Sequence, residues 1–338
     1  MDYSFLKQLC QTDAPSGREK PVRELIISRL PSDCTYKTDG LGNLIVEKKG
    51  EKAPKSRVAF FAHTDEVGFI VTYIDDDGTV YCSSVGGVEP SALIGKKIRI
   101  NGCVGSAGLK AVHQCTKEER EKLPEIGEIG IDFGFDSRDE AKKHLELGDS
   151  GCFDSDYLDF GGGFIKSKAL DDRFGCAVIL ELLNKKAEYD FTAVFTVQEE
   201  VGTRGAAAVA PVVNPDFAVV LEATTAGDIP ETPDSKKVCR VGNGAVVSFM
   251  DRGTLYDREL YKKAFDIAEK NSIPCQTKTL IAGGNDSSAI HKSAGGIRTL
   301  AVSLPCRYIH SASSVCSKKD IEAVEKLADR LLSELSRV

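Results

Sequence analysis

The pattern of apolar and polar positions divides the chain into three parts. In the first part, apolar residues recur at helical spacing, which predicts helices over residues 3–9 and from Ser16 onward. Ser16 and Glu19 have the spacing of a capping box for the second helix. Short apolar strands are predicted at residues 44–47 and 58–62. The second of them, VAFFA, contains no polar alternation, which is typical of a strand covered on both faces.

The middle part, from about residue 68 to residue 166, has a different pattern. Short β-branched runs such as FIVTYI, TVYC and KKIRI are separated by glycines and by turns such as Asp77–Gly78. Within this part a helix is predicted only over residues 138–147. Closely spaced short strands of this kind are typical of a small β-barrel or sandwich.

After residue 166, apolar strands again alternate with amphipathic helices. Helices are predicted over residues 171–184, 257–269 and 317–336, and strands over residues 191–197, 217–221, 245–249, 276–280 and 299–303. Ser317 and Asp320 are expected to cap the last helix. We therefore predict one α/β domain, residues 1–67 and 167–338, interrupted by an inserted β domain of residues 68–166.

Composition excludes several classes of protein. The length of 338 residues exceeds what one core usually supports, which agrees with two domains. The net charge of −7 argues against binding to nucleic acid, and no apolar run approaches the 18 residues that a membrane span needs. The first residues lack the basic and apolar regions of a signal peptide. The 11 cysteines form no CxxC pair, as expected of reduced thiols in a cytoplasmic protein.

Residues that can bind metal ions follow the ends of apolar strands. The groups are His63 and Asp65 after VAFFA, Asp171 at the start of a helix, Glu199 and Glu200 after FTAVFTV, Glu222 after FAVVL, and His310 after AVSLPCR. Taken singly, each has an ordinary explanation, such as a surface histidine, a carboxylate at a helix dipole or a solvated turn. Together, two histidines and three carboxylates at converging strand ends favour a site for two cations. Mixed ligands of this kind suit Zn²⁺, Co²⁺ or Mn²⁺ better than Ca²⁺ or Mg²⁺.

Six motifs make the assignment more specific. AHTDEVGF, ALDDRFG, QEEVGTRGA, LEATTAGDIP, GGNDSSAI and PCRYIHS resemble, in this order, the signatures of the tetrahedral aminopeptidases. These dinuclear metallopeptidases are also catalogued as glutamyl aminopeptidases and sometimes as endoglucanases. The resemblance covers nearly the whole chain. It implies a zinc-peptidase-like α/β/α catalytic domain with a mixed sheet, and an inserted small β-barrel that serves assembly and walls the pocket.

The resemblance also implies roles for individual residues. The ligands of the first metal would be His63, Asp171 and Glu222, and those of the second Asp171, Glu200 and His310, with Asp171 bridging. Asp65 would orient His63, and Glu199 would be the general base.

Two positions depart from the usual motifs. Glu222 stands where many relatives carry Asp. Its longer side chain changes the reach of a ligand and so bears on metal preference and affinity. Asn285 stands where the usual motif, GGTD, has Thr. Candidates for contact with the substrate are Gly283, Gly284 and Arg307. The two glycines are more simply explained by tight turns, and Arg307 equally suits a salt bridge or a subunit contact.

The predicted function is removal of N-terminal residues from short peptides by a metal-dependent aminopeptidase with two divalent ions per subunit. The resemblance further implies a homo-oligomer, assembled through dimers into a dodecamer. Three alternatives stay open: a metal-dependent N-deacylase or carboxypeptidase, a metal-free glycosidase that uses Glu199 with a second acid, and a non-catalytic metal-binding scaffold. The glycosidase leaves His63, Asp65 and His310 without a role.

Overall fold

The computed structural model describes residues 1–338. The strands are β1 (Cys34–Thr38), β2 (Leu44–Lys48), β3 (Val58–His63), β4 (Gly68–Ile74), β5 (Val80–Val85), β6 (Lys97–Ile100), β7 (Cys103–Gly108), β8 (Gly130–Asp132), β9 (Ser150–Phe153), β10 (Leu158–Gly161), β11 (Phe164–Ser167), β12 (Phe191–Thr196), β13 (Phe217–Thr225), β14 (Ala245–Val247), β15 (Cys275–Thr277), β16 (Arg298–Cys306) and β17 (Ser314–Ser317).

The helices are α1 (Tyr3–Gln11), α2 (Lys20–Ile27), α3 (Pro90–Leu93), α4 (Lys117–Glu121), α5 (Arg138–Ala141), α6 (Leu170–Asn184), α7 (Arg204–Val213), α8 (Arg258–Lys270), α9 (Ser287–Ile290) and α10 (Lys318–Leu335). Three 3₁₀ helices cover Val112–Gln114, Ile126–Glu128 and Asp234–Lys236. None of these helices combines the length and the hydropathy that a membrane span requires.

An eight-stranded mixed sheet forms the centre of the α/β part. Its strand order is β1-β2-β12-β3-β13-β16-β14-β15, and the four central strands β12, β3, β13 and β16 run parallel. A core of 50 buried residues lies on one face, where α1, α2, α6, α8 and α10 pack. A smaller core of 12 residues lies on the other face, beneath α7 and α9. The α/β/α layering and the mixed sheet predicted from the sequence are confirmed.

Strand β3 shows why its sequence lacks polar alternation. Phe60 belongs to the larger core and Phe61 to the smaller one, so successive side chains enter opposite layers and every residue of the strand is buried. Burial of each phenylalanine side chain contributes about 1.5–3 kcal/mol. This energy fixes the register of the strand and therefore the position of His63 at its end.

The insert contains a closed barrel with the strand order β4-β5-β8-β7-β6-β9. Seventeen buried residues fill it, among them Phe69 and Phe153, whose rings pack edge to face at 5.0 Å. Just outside the expected boundaries of the insert, Lys168 donates to both carboxylate oxygens of Glu66 at 2.7 Å. The chain therefore leaves and re-enters the α/β part at neighbouring points.

Several predicted boundaries are wrong. The helix expected over residues 138–147 ends at Ala141, and the chain continues in turns that bring Leu145 into the barrel core. The strand expected to end at residue 221 continues to Thr225, so Glu222 lies within β13. Helix α7 was not predicted, because its run of alanine and valine has little polar contrast.

The proposed capping box of the second helix is also wrong. Helix α2 begins at Lys20, since the Ser16 hydroxyl instead donates to Asp65 Oδ2 at 2.6 Å. Glu19 Oε1 accepts the backbone N–H groups of Gly17 and Gln198. Both polar side chains thus serve tertiary contacts that their local spacing does not reveal.

In α10 only half of the expected cap forms. Ser317 accepts the backbone N–H of Lys319, whereas Asp320 accepts those of Gly242 and Gly244.

Candidate active site

The predicted metal ligands come together at the carboxyl edge of the parallel strands. His63 is the last residue of β3, Glu199 and Glu200 follow β12, Glu222 lies in β13, His310 follows β16, and Asp171 is the second residue of α6. Parallel strands end at the same edge, so residues that are far apart in the chain converge there.

Asp171 lies between two groups of ligand atoms. On one side, its Oδ1 is 3.3 Å from His63 Nε2, which is also 3.5 Å from Glu222 Oε1. On the other side, its Oδ2 is 3.4 Å from His310 Nε2, which is also 3.3 Å from Glu200 Oε2. We call these the first and second ligand groups. Each oxygen of Asp171 thus faces a different histidine, as a bridging carboxylate requires.

These separations fit a shared cation better than direct hydrogen bonds. Good N–H···O bonds have heavy-atom distances of about 2.7–3.2 Å, and all four distances here are longer. Two ligands that each lie about 2.1 Å from a tetrahedral ion are about 3.4 Å apart. The residues present therefore fit a metal in both groups.

The site holds far more negative than positive charge. Seven carboxyl groups face or adjoin it, compared with two imidazoles; they are Asp65, Asp171, Asp172, Glu199, Glu200, Glu222 and Asp286. Burial raises the pKa of Glu222 well above its ordinary value, and the charge of Asp171 adds to the shift. Burial also raises the pKa of Glu200 to about 7, although the ring of His310 opposes it. Bound cations would remove this electrostatic cost.

Asp65 connects the first ligand group to the Glu199–Glu200 pair. Its Oδ1 accepts the Glu199 N–H at 3.0 Å and lies 3.5 Å from His63 Nδ1, and its Oδ2 accepts the Glu200 N–H at 3.1 Å. Burial alone would raise the pKa of this carboxyl, but its partners outweigh burial and lower the pKa. His63 Nδ1 also contacts the Asp65 carbonyl oxygen at 3.2 Å. With Nδ1 directed to these oxygens, Nε2 presents its lone pair to the ligand group.

Glu199, the predicted general base, is partly exposed beside the buried ligands. Burial raises the pKa of its carboxyl well above the ordinary value, and the nearby charges of Asp286 and Glu200 act in the same direction. A carboxylate with a raised pKa is a stronger base. The role of Glu199 as the general base stays a prediction.

His310 is presented by a strained loop. Tyr308 and His310 itself both have φ of 58°, which is unusual for residues with side chains. Its Nδ1 donates to the carbonyl oxygen of Gly87 in the insert at 2.9 Å. Burial would lower the pKa of this imidazole, but Asp171 and Glu200 raise it to about 9.

Two buried carboxylates of the site were missed by the sequence reasoning. Asp172 accepts the backbone N–H groups of His63 and Gly175 at 3.3 and 3.2 Å. Asp286 accepts the Thr196 hydroxyl at 2.6 Å through Oδ2, and its other oxygen is buried without a partner. Both lie inside motifs that the resemblance had singled out, ALDDRFG and GGNDSSAI, so the signal was available.

The candidate substrate residues have other partners in the structure or are exposed. Gly283 and Gly284 are exposed in the loop before α9, and Gly283 has φ of 65° and accepts the N–H of Arg252. Arg307 forms a two-pronged ion pair with Asp228 at 2.7 and 2.9 Å. Contact of any of them with a substrate stays a prediction.

Comparison with known proteins agrees with this geometry. The model of the M42 glutamyl aminopeptidase family matches residues 42–327. A relative from Acetivibrio thermocellus is 41% identical over 330 residues, 96% of each chain, and the lysyl aminopeptidase of Pyrococcus furiosus is 30% identical over 347 residues, 99% of this chain and 98% of its own. The structure of the Pyrococcus horikoshii TET1 peptidase, reported to assemble into a tetrahedron or a large octahedral shell, superposes with a TM-score of 0.86, 32% identity and 98% coverage of both chains.

The family match covers most of the chain, and the relatives align over nearly their whole length. The chain therefore belongs to the M42 glutamyl aminopeptidase family, and it is a metal-dependent aminopeptidase, a hydrolase that acts on peptide bonds.

Proposed function

We propose that the enzyme removes the N-terminal residue of short peptides at a dinuclear site that binds Zn²⁺, Co²⁺ or Mn²⁺. The observation that carries the proposal is the position of Asp171, whose two oxygens lie 3.3 and 3.4 Å from the Nε2 atoms of two different histidines, each of which also faces a glutamate. His63 and Glu222 would complete the first site, and Glu200 and His310 the second. Two divalent ions held there would polarise the scissile carbonyl and lower the pKa of a water molecule.

The remaining chemistry belongs to side chains of this chain. Glu199 takes the proton of the attacking water and passes it to the nitrogen of the leaving peptide. Asp65 holds the backbone N–H groups of Glu199 and Glu200, so it fixes the base relative to a ligand of the second group. Together these contacts orient the base before the substrate arrives.

The surplus of carboxylates supports an aminopeptidase. The free α-ammonium group of a peptide is a cation that can pair with these acids, whereas an N-acylated substrate brings no such charge. An N-deacylase or carboxypeptidase would gain nothing from this feature. A metal-free glycosidase would need two carboxyl groups alone and would leave the paired histidines without a function.

We also propose that the protein forms a homo-oligomer, a dodecamer by analogy with its family. The TET1 peptidase of Pyrococcus horikoshii is described as assembling into closed shells, and this chain has the same fold over its whole length. Sedimentation of the purified protein tests the proposal: sedimentation as a monomer would contradict it.

The functional test compares Glu199→Gln with Glu200→Gln. Glu199→Gln removes the base but no ligand oxygen, so two metals should stay bound while kcat falls by about 10²–10⁴-fold with little change in KM. Glu200→Gln weakens a charged ligand, so the second metal should be lost first and activity should partly return at high metal concentration. Metal content by elemental analysis and single-turnover rates distinguish the two.

The unsubstituted enzyme provides the controls. Prolonged chelation should abolish hydrolysis of aminoacyl-arylamides, Co²⁺, Zn²⁺ or Mn²⁺ should restore it, and the N-acetylated substrate should remain uncleaved. Full activity in a preparation shown to be metal-free would overturn the dinuclear proposal. Loss of a metal from Glu199→Gln, with two retained by an inactive Glu200→Gln, would reverse the two assigned roles.

A further inference from the structure

A pair of glycines in the insert lies directly against the second ligand group. Gly86 and Gly87, which we call the glycine turn, follow β5 of the barrel. The carbonyl oxygen of Gly87 accepts the Nδ1 hydrogen of His310 at 2.9 Å. A Cβ placed on Gly86 would lie 3.0 Å from Val67 Cγ1 and 3.1 Å from the Cβ of Glu200, and one on Gly87 would lie 3.5 Å from His310 Nδ1. The glycine turn thus binds His310 through a backbone carbonyl oxygen and leaves no room for a side chain beside Glu200.

The loop that carries His310 is also seated on the barrel. Ala312 is buried within the hydrophobic core of the barrel rather than that of the α/β part. Its carbonyl oxygen accepts the hydroxyl of Ser155, a residue that follows β9. The loop is therefore hydrogen-bonded to the insert at two points, Gly87 and Ser155.

The first ligand group is held differently. His63 and Glu222 lie in strands of the large sheet, and the polar partners of the His63 ring are Asp65, Asp171 and Glu222 of the α/β part. The two groups therefore depend on different parts of the structure.

We propose that the glycine turn is a positioning element of the insert that shapes the second metal site. The inference rests on the proposed dinuclear function. By accepting the Nδ1 hydrogen, Gly87 would leave the lone pair of His310 Nε2 available to an ion shared with Asp171 and Glu200. Gly86 permits this approach because it has φ of +87° and no side chain to displace Glu200. Loss of such an outer contact typically costs about 10–100-fold in metal affinity.

The test compares Gly86→Ala with Gly95→Ala in the full-length protein. Gly95 belongs to the same barrel and has φ of +70°, but a Cβ added there would meet no atom within 4 Å, so its substitution introduces backbone strain without touching a ligand. Titration of metal-free protein with Co²⁺ gives the affinity of each site, and thermal unfolding of the metal-free protein gives the stability cost.

We expect Gly86→Ala to weaken the second Co²⁺ site by about 10-fold or more while the first stays within about two-fold. Gly95→Ala should lower the unfolding temperature by a similar amount and retain both affinities. Unchanged Co²⁺ binding by Gly86→Ala would overturn the proposal. Equal weakening of the second site in Gly95→Ala would also overturn it, because backbone strain in the insert would then explain the loss of affinity.

A milder variant covers the case in which Gly86→Ala does not fold. Ser155→Ala removes the hydroxyl that binds the Ala312 carbonyl oxygen and that also accepts Lys166 Nζ, which keeps the Asp156 carbonyl oxygen as a partner. It should weaken the second site by several-fold while sparing the first. Equal weakening of both sites, or of neither, would contradict the proposal. A parent protein that binds fewer than two Co²⁺ ions would instead refute the dinuclear function itself, so the two failures are distinguishable.

Discussion

Replacement of Asp65 by asparagine should show how much of the site depends on one buried carboxylate. Its two oxygens accept the N–H groups of Glu199 and Glu200 and the hydroxyl of Ser16, at 3.0, 3.1 and 2.6 Å. An asparagine offers one oxygen and one NH₂ group. In either orientation of the amide, one of the two backbone N–H groups faces another donor and loses its partner.

The magnitude follows from these contacts. A buried N–H without a partner costs about 1–3 kcal/mol, and the change of the other bonds from charged to neutral costs about 1 kcal/mol more. We therefore expect Asp65→Asn to lower the free energy of unfolding by about 3 kcal/mol. For a chain of 338 residues this corresponds to a shift of about 4 °C in Tm. Because Glu199 and His63 lose their alignment, kcat should also fall by about 10–100-fold.

Ser16→Ala is the matched control. It removes one donor from the same carboxylate but leaves both backbone N–H groups paired, so it should cost only about 1 kcal/mol and change kcat by less than about three-fold. Calorimetry and arylamide hydrolysis measure both effects. Equal losses in the two variants, or an Asp65→Asn enzyme with full activity, would show that Asp65 does not organise the site.

Two further predictions concern the metal ligands and the insert. Glu222→Asp shortens a ligand of the first group, so Co²⁺ titration should show that site weakened by about 10-fold and the second site unchanged. Equal weakening of both sites would contradict the assignment of Glu222 to the first group. Replacement of residues 68–166 by a short Gly/Ser linker should leave one cooperative unfolding transition, because Glu66 and Lys168 are already in contact. It should also weaken the second site by about 10–100-fold, because it removes the partner of His310. Loss of the transition would show that the insert is not a separate domain.

The α/β part of the fold could be predicted from the sequence because strands that are buried on both faces consist almost entirely of apolar residues. A run such as VAFFA can be stable only between two apolar layers, and the structure places Phe60 and Phe61 in opposite cores. The candidate metal ligands were proposed for a related reason: histidines and adjacent acids at the ends of such strands are costly unless they share a cation. Convergence of parallel strands then brings them together without further information.

Local spacing was misleading where side chains serve distant partners. Ser16 and Glu19 have the spacing of a capping box, yet their hydrogen bonds go to Asp65 and to the N–H groups of Gly17 and Gln198. A helix cap and a tertiary contact use the same side-chain oxygen. Only the packed structure decides which partner that oxygen binds.

The orientation of His310 was decided by tertiary structure alone. Its Nδ1 binds a carbonyl oxygen of Gly87, 223 residues away in the chain and in another part of the fold. Every residue carries a backbone carbonyl, so no residue type marks the one that serves as acceptor. The sequence therefore identifies candidate ligands, whereas their orientation depends on backbone groups whose positions arise only when the barrel and the sheet pack together.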